Sequence, residues 1–280
     1  MEDKLLKELI EIGLAEDIGD GDHTSLACIS ENAKGCAKLI IKQKGVLAGA
    51  EVARKIFSII DPSVEFTHFI KDGSVVEYGD IAFHVSGHIQ SILKSERLVL
   101  NIIQRMSGIA TSTREYVDKL AGLKTKILDT RKTSPGLRFL EKEAVRIGGG
   151  VNHRMGLYDM IMLKDNHIDY AGGIKKAITL TNDYLRKNNL NLKIEIEARN
   201  FDDVKIIIKT GGIDRIMLDN FAITDLKSAV NLINDKYETE ASGGITLETI
   251  RNYAECGVDF ISVGALTHHV KSVDMSLKAF

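Results

Sequence analysis

The second half of the chain repeats one pattern, in which a short apolar run is followed by a loop and a helical segment. The runs are TKILD, DMIML, KIEIE, RIMLD, TEAS and FISVG. Apolar runs that alternate with helices are typical of parallel strands joined by crossover helices. We therefore predict a parallel α/β barrel. Because only six strands are clear, the barrel is either incomplete or closed by a seventh element. A doubly wound sheet is the alternative.

Each predicted strand in this half ends in a chemically active side chain or a glycine. The endings are Thr130-Arg131-Lys132, Lys164, Glu197, Asp219, Ser242-Gly243-Gly244 and Val263-Gly264-Ala265. The carboxyl ends of barrel strands converge on one mouth, where active sites are built. We expect these endings to form one polar cluster, whereas a doubly wound sheet would gather them along a crevice.

The first half has a different pattern, with short alternating runs separated by turn-forming residues. CAKLIIKQ, VEFTHFI and IAFHVSG predict an antiparallel sheet. A long helical pattern follows, which could break at Ser107-Gly108. The fold class is thus α/β plus α+β. An N-terminal antiparallel sheet domain with helices (1–108, joined by 269–280) precedes the α/β barrel (109–268).

Composition limits the classes of partner. The hydrophobic content of 44% is enough for a sizeable core, and the net charge of -2 gives no field that would attract nucleic acid or an anionic membrane. The three cysteines form no CxxC pair, which suits reduced thiols. The N-terminal segment carries acids and no long apolar run. We expect a cytoplasmic protein that binds neither nucleic acid nor membrane.

Positive charge is concentrated in TRKTSPGLRFLEKEAVRIGGGVNHR, residues 130–154, so anion recognition must be local. Within it, Arg138, Lys142 and Arg146 recur every four residues with acids between them. That spacing is typical of a solvated or ion-paired helix face. Arg138, in the first turn, could instead reach inward.

Two groups of strand endings predict different contacts. The glycines of SGG and VGA expose backbone N–H groups to which a phosphate could bind, although Gly243 and Gly244 could simply permit a tight turn. Glu197 and Asp219 each end an apolar strand. Two such carboxylates can bind sugar hydroxyls, or can hold, directly or through water, an Mg²⁺ ion that arrives with substrate phosphates. The alternative is an ion pair with Lys164 or Arg131.

Six stretches together resemble the quinolinate phosphoribosyltransferase family, also called carboxylating nicotinate-nucleotide pyrophosphorylase. The stretches are ERLVLNIIQRMSGIAT (96–111), LDTRKTSPGLRFLEKEAVRIGGGVNHRMGLYDMIMLKDNHI (128–168), IEIE (194–197), MLDN (217–220), ASGGI (241–245) and ISVGALTH (261–268). The resemblance implies a pentosyltransferase that joins quinolinate to phosphoribosyl pyrophosphate. Pyrophosphate and carbon dioxide leave, and nicotinate mononucleotide remains for NAD biosynthesis.

The resemblance also implies site residues. Those lining the quinolinate pocket are Arg131, His153, Arg154 and Lys164, with Arg97 from a neighbouring subunit. Lys132 would contact the pyrophosphate, beside Thr130. Glu197 and Asp219 would meet the ribose and Mg²⁺, and the 5-phosphate would lie against Ser242, Gly243, Gly244, Val263, Gly264 and Ala265. The catalytic set is Lys132, Lys164, Glu197 and Asp219. A shared site requires a homodimer or a higher oligomer.

Two alternatives remain open from the sequence. One is a related phosphoribosyltransferase that acts on another base, such as nicotinate. The clustered cations argue against a base with a single carboxylate, since arginines match carboxylates in two-pronged contacts. The other is a non-catalytic protein that binds a phosphorylated ligand on the same scaffold.

Overall fold

The computed structural model describes residues 2–280, and side chains from Asp3 onward. In chain order the first elements are α1 (Glu2–Ile18), α2 (His23–Cys28), β1 (Lys34–Ile41), β2 (Gly45–Val46), α3 (Ala50–Ile60), β3 (Glu65–His68), β4 (Val75–Val76), β5 (Ile81–His88) and α4 (Ile89–Lys119). They are followed by β6 (Lys126–Leu128), α5 (Arg138–Gly148), β7 (Ile161–Leu163), α6 (Asp165–Ala171), α7 (Ile174–Lys187), β8 (Ile194–Ala198), α8 (Phe201–Thr210), β9 (Arg215–Asp219), α9 (Ile223–Ile233), β10 (Glu238–Ser242), α10 (Ile250–Ala254), β11 (Phe260–Ser262), α11 (Ala265–His268) and β12 (Met275–Ala279).

The described chain divides into two compact units that interleave along the sequence. The first contains the residues up to Arg114, together with Thr133–Gly149 and Leu266–Phe280. The second contains Glu115–Lys132 and Gly150–Ala265. Helix α5 therefore belongs to the first unit, although it follows a strand of the second. The domain boundary at residues 108 and 109 stays a prediction.

The first unit is built on a four-stranded antiparallel sheet with the order β12-β1-β5-β3. Strand β1 buries Ala37, Leu39 and Ile41, which alternate with less buried residues because successive side chains point to opposite faces. The predicted antiparallel sheet is confirmed. None of the helices described is both long enough and apolar enough to cross a membrane.

Helix α4 runs without a break through Ser107 and Gly108. A Cβ on Gly108 would lie 2.3 Å from the carbonyl oxygen of Lys271. The hydroxyl of Ser107 accepts a hydrogen bond from the backbone N–H of Ala48 at 2.9 Å. The pattern that suggested a break instead marks a place where other backbone packs closely against the helix.

The sequence predicted a solvated or ion-paired face for α5, and two of its charged residues are buried rather than solvated, although Glu141 is ion-paired. Lys142 is fully buried, and Glu141 is buried with its carboxylate 2.6 Å from Arg105 Nη2. Arg146 is exposed and pairs with Glu143, as expected. The regular spacing of charges shows which residues share a helix face, but it does not show which face is covered.

The second unit is built on a parallel sheet of six strands in the order β6-β11-β10-β9-β8-β7. A parallel bridge between Leu128 and Val151 places a seventh segment beside β6. Strands β6 and β7 are the two ends of this order, as expected of an incomplete barrel. The predicted parallel architecture is confirmed.

Candidate functional site

The predicted site residues of the second unit follow its strands at one edge. Parallel strands bring their carboxyl ends together, so these residues are neighbours in the strand order. From β6 to β7 they are Thr130-Arg131-Lys132, Val263-Gly264-Ala265, Ser242-Gly243-Gly244, Asp219, Glu197 and Lys164. Arg97 lies on α4 in the first unit and is exposed, so its place in a neighbour's site stays a prediction.

His153 and Arg154 lie in the segment that follows the Val151 bridge, and both are buried. The backbone N–H of His153 donates to Oδ1 of Asp129, a fully buried residue that directly follows β6 (2.9 Å). Arg154 Nη1 donates to the carbonyl oxygen of Met160, which directly precedes β7 (3.2 Å). The segment therefore links the two end strands of the sheet.

Two guanidinium groups at this edge, those of Arg131 and Arg154, repel each other electrostatically. Burial lowers the pKa of Arg154, and the positive charge of Arg131 lowers it further. Like charges held together destabilise the unliganded site, and an anion between them would relieve the repulsion. Arg131 is exposed, so a ligand can reach it.

Two carboxylates also lie near each other. Burial raises the pKa of Glu197 and the charge of Asp219 raises it too, while the charge of Lys164 lowers it. The backbone N–H of Asp165 donates to Glu197 Oε2 at 3.3 Å. The alternative of an electrostatic pair between Glu197 and Lys164 thus has support, alongside the carboxylate pair. Oxygen atoms of this kind suit a hard cation such as Mg²⁺.

The turn after β10 requires glycine at its first position. Gly243 has φ +101°, and a Cβ there would lie 2.2 Å from Oδ1 of Asn220. The backbone N–H of Asn220 donates to the carbonyl oxygen of Ser242, and its side-chain amide donates to Asp219 (both 2.8 Å). Gly244 is exposed, and a Cβ there would meet no atom within 4 Å. The tight-turn interpretation therefore explains Gly243 and also Gly244, whose φ is +59°, while the exposed backbone at Gly244 is in addition open to a ligand.

A charged cluster inside the sheet was missed by the sequence analysis. His153 Nε2 lies 2.9 Å from Oε2 of Glu195 and 3.3 Å from Oε2 of Glu240. Arg215 Nη1 lies 3.3 Å from the same Glu240 oxygen and 3.9 Å from that of Glu195. We call these four residues the interior cluster. The sequence offered one signal for this cluster. Side chains two residues apart on a strand point to the same face, so a strand that directs Glu197 inward also directs Glu195 inward.

The interior cluster shifts the pKa values of its members. Burial alone would lower the pKa of His153, but contacts with Glu195 and Glu240 outweigh it and raise the pKa to about 9. Burial raises the pKa of Glu195 to about 7. The backbone N–H of Arg154 donates to Nδ1 of His153 at 2.6 Å and so opposes a second proton there; in this conformation the ring is therefore neutral, with its proton on Nε2, although the two carboxylates favour the charged form. A second proton, on Nδ1, would displace that contact.

Comparison with known proteins identifies relatives over nearly the whole chain. Models of the quinolinate phosphoribosyl transferase N-terminal and C-terminal domains match residues 22–107 and 109–278. The chloroplastic carboxylating nicotinate-nucleotide pyrophosphorylase of Arabidopsis thaliana is 46% identical, over 98% of this chain and 82% of that protein. The probable Bacillus subtilis (strain 168) enzyme of the same name is 44% identical, over 97% and 92%.

Solved structures agree with the sequence matches. The structure of NadC from Streptococcus pyogenes superposes with a TM-score of 0.92 at 36% identity, over 98% of this chain and 97% of that one. The nicotinate-nucleotide pyrophosphorylase from Francisella tularensis gives 0.92 at 39% identity, over 99% and 96%.

The fold, the strand-end charges and these matches define an α/β-barrel phosphoribosyltransferase. The chain belongs to the quinolinate phosphoribosyltransferase family. The resemblance predicted from the sequence motifs is thereby confirmed.

Proposed function

We propose that this protein transfers the phosphoribosyl group of phosphoribosyl pyrophosphate to quinolinate, with release of pyrophosphate and carbon dioxide. The product, nicotinate mononucleotide, serves NAD biosynthesis. One observation carries the proposal: a single edge of the parallel sheet holds the cation of Arg131 and the carboxylates of Glu197 and Asp219, and the charge of Arg131 acts on the buried guanidinium of Arg154. Paired cations suit a dicarboxylate, and paired carboxylates suit ribose hydroxyls or a metal-bound phosphate.

The reaction requires alignment rather than a nucleophilic side chain. As pyrophosphate leaves the ribose, an oxocarbenium-like centre develops and the pyridine nitrogen attacks it. Arg131, Arg154 and Lys164 would hold the quinolinate carboxylates with His153 beside them, while Lys132 and Thr130 would contact the pyrophosphate. Cations fixed where charge develops contribute about 10²-fold to 10³-fold each. The alkylated ring nitrogen then stabilises the carbanion left by carbon dioxide.

The remaining strand ends would bind the rest of the phosphoribosyl substrate. Ser242, Gly243 and Gly244 would contact the 5-phosphate through backbone N–H groups, together with Val263, Gly264 and Ala265. Glu197 and Asp219 would contact the ribose and hold Mg²⁺, directly or through water. When bound, Mg²⁺ would offset the negative charge that develops on pyrophosphate.

We also propose a homodimer, or a higher oligomer, that shares its sites. Arg97 borders a groove of about 350 Å³ in the first unit, beside the apolar side chains of Leu9, Ile12 and Leu98. Ile12 is 65% exposed. If a second copy of the chain covered this apolar surface, Arg97 of the first copy would enter the active site of the second. A cytoplasmic location stays a prediction, supported by the three free thiols of Cys28, Cys36 and Cys256.

A release assay tests the reaction and separates it from the alternatives. Carbon dioxide should leave carboxyl-labelled quinolinate only when phosphoribosyl pyrophosphate and Mg²⁺ are both present. Turnover of nicotinate without quinolinate turnover would instead identify a paralogue acting on another base. Binding of both substrates without release would identify a non-catalytic binding protein. Neither alternative is favoured, because relatives across 98% of the chain carry decarboxylating or carboxylating names.

Mixing variants tests the shared site. Arg97→Ala and Lys164→Ala subunits should each be nearly inactive alone, and mixed subunits should recover activity because some sites then contain both native residues. Subunit exchange is followed with two affinity tags. Exchange without recovered activity would contradict a shared site.

A further inference from the structure

The interior cluster carries more charge than a protein interior ordinarily holds. Glu195 and Glu240 are fully buried, and the side chains of His153 and Arg215 are only 5% and 10% exposed. Among the described residues, both carboxylate oxygens of Glu195 and Oε1 of Glu240 lack a hydrogen-bond donor in good geometry. Charges buried without full hydrogen bonding reduce the stability of the folded chain, so a functional role would explain why they are present.

Glu195 and Arg215 lie nearer the amino ends of the strands than the strand-end residues, whereas Glu240 is level with Glu197. The register of β8, β9 and β10 defines three rows of side chains. Asp219 and Ser242 form the row at the carboxyl edge. Glu197, Met217 and Glu240 form the next row, and Arg215 lies in the third. Side chains two residues apart on a strand share a face, so these rows all point to the same side of the sheet.

One continuous line of contacts joins the cluster to the predicted quinolinate pocket. Glu240 contacts Nε2 of the His153 ring, and Nδ1 of the same ring accepts the backbone N–H of Arg154. Asp129 holds the backbone N–H of His153 from the other side. The ring orientation therefore affects where the Arg154 backbone lies, and with it the distance between Arg154 and Arg131.

We propose that Glu240 is a positioning residue, which fixes the His153 ring and thereby holds Arg154 beside Arg131 in the quinolinate pocket. The proposal rests on the proposed function, because it names the pocket that Arg154 serves. Glu240 itself does not reach the substrate. Arg215 Nη1 donates to Oε2 of Glu240 at 3.3 Å and helps to hold that carboxylate in place.

A divalent cation is a weaker explanation of the same cluster. His153, Glu195 and Glu240 have potential ligand atoms within 4.8 Å of one another. However, the Arg215 guanidinium already contacts the carboxylate oxygens on which a cation would rely. Placing a second positive charge beside it would cost energy in a buried site.

The first test compares two identical substitutions on one strand. Glu240→Gln keeps the side-chain volume but removes one of the two carboxylate charges that contact His153, the other being that of Glu195. It should raise the KM for quinolinate about tenfold or more and change the KM for phosphoribosyl pyrophosphate less than about twofold. The control is Glu238→Gln, since Glu238 lies at the other end of the strand and contacts Arg215 at 2.9 Å. Its KM values should match the wild type.

A second readout does not depend on quinolinate turnover. The ring ¹⁵N signals of His153 should shift in Glu240→Gln and stay unchanged in Glu238→Gln. In a double-mutant cycle, Glu240→Gln should add little to His153→Asn, because both changes break the same line of contacts. If the wild type fails to turn over quinolinate, the proposed function fails, while the ring signals still decide whether Glu240 positions His153.

Three results would overturn the proposal. The first is an unchanged quinolinate KM in a folded Glu240→Gln protein. The second is an equal rise in both KM values together with a fall in melting temperature, as a purely structural role would give. The third concerns folding. If Glu240→Gln does not fold, Glu240→Asp is measured instead, with the same expected rise in the KM for quinolinate alone. If neither variant folds, the cluster serves stability alone.

Discussion

The two ends of the parallel sheet differ in how their charged side chains are arranged. At the amino ends, opposite charges and hydrogen-bonding groups are paired: Arg215 with Glu238, and Asp259 with Lys124 and Thr239. At the carboxyl ends, like charges are neighbours. Paired charges stabilise the folded chain by themselves. Neighbouring like charges reduce stability, so their presence points to a ligand that neutralises them.

The largest expected effect is loss of turnover when a carboxyl-end cation is removed. Lys164→Ala or Arg154→Ala should lower kcat/KM for quinolinate about 10²-fold to 10³-fold, because no other group replaces the fixed charge. Steady-state kinetics measures this. Lys193→Ala, at the amino end of β8, is the matched control, because its exposed ammonium lies 3.8 Å from Glu238 at the opposite edge of the sheet from the strand-end cations. Wild-type turnover in Lys164→Ala would refute the site assignment.

The next comparison uses both ends of one strand. Asp219→Ala, at the carboxyl end of β9, should lower turnover about tenfold or more without lowering the free energy of unfolding, because repulsion with Glu197 is relieved. Asp214→Ala, just before β9, should keep turnover but lower stability by about 1–2 kcal/mol, because its carboxylate accepts the backbone N–H of Ile194 at 2.7 Å. Urea unfolding and kinetics measure both. Equal stability losses would remove the contrast between the two ends.

A smaller effect separates a strained glycine inside the site from one outside it. Gly243→Ala should raise the KM for phosphoribosyl pyrophosphate about tenfold and lower the melting temperature, because its Cβ would collide with Asn220. Gly257→Ala has a comparable φ of +89° with its nearest atom at 3.7 Å. It should lower the melting temperature while leaving both KM values unchanged. If the two variants behave alike, the turn after β10 has no role in substrate binding.

The smallest effect concerns pH and stability alone. Burial would raise the pKa of Asp259, but hydrogen bonds from Thr239 and Lys124 outweigh it and lower the pKa below the ordinary value of 3.8. The folded state thus favours the charged form, so this stabilisation is present above pH 3.8 and is lost as the pH falls below it through the lower folded-state value. Asp259→Asn should lose about 1 kcal/mol near pH 7 and less at pH 3, with unchanged kcat. An equal loss at both pH values would show that the charge is irrelevant.

Much of the site could be predicted because its residues stand at strand ends. Arg131, Lys164, Glu197 and Asp219 each follow or end an apolar run, and parallel strands must bring such ends together. The interior cluster was harder to predict. Glu240 lies within a run and Arg215 begins one, and sequence alone does not show that residues so far apart meet around one histidine ring.

The sequence by itself determined the order of elements, the inward face of each strand and the set of charges at the carboxyl edge, since these depend on local periodicity and strand direction. Tertiary structure decided which faces are covered and which charges meet. Lys142 is buried and Arg146 is exposed on one helix, although both have the same spacing. Likewise, His153 contacts Glu195 and Glu240 because three separate segments pack together, and the energy of those contacts depends on distance and burial that no local pattern specifies.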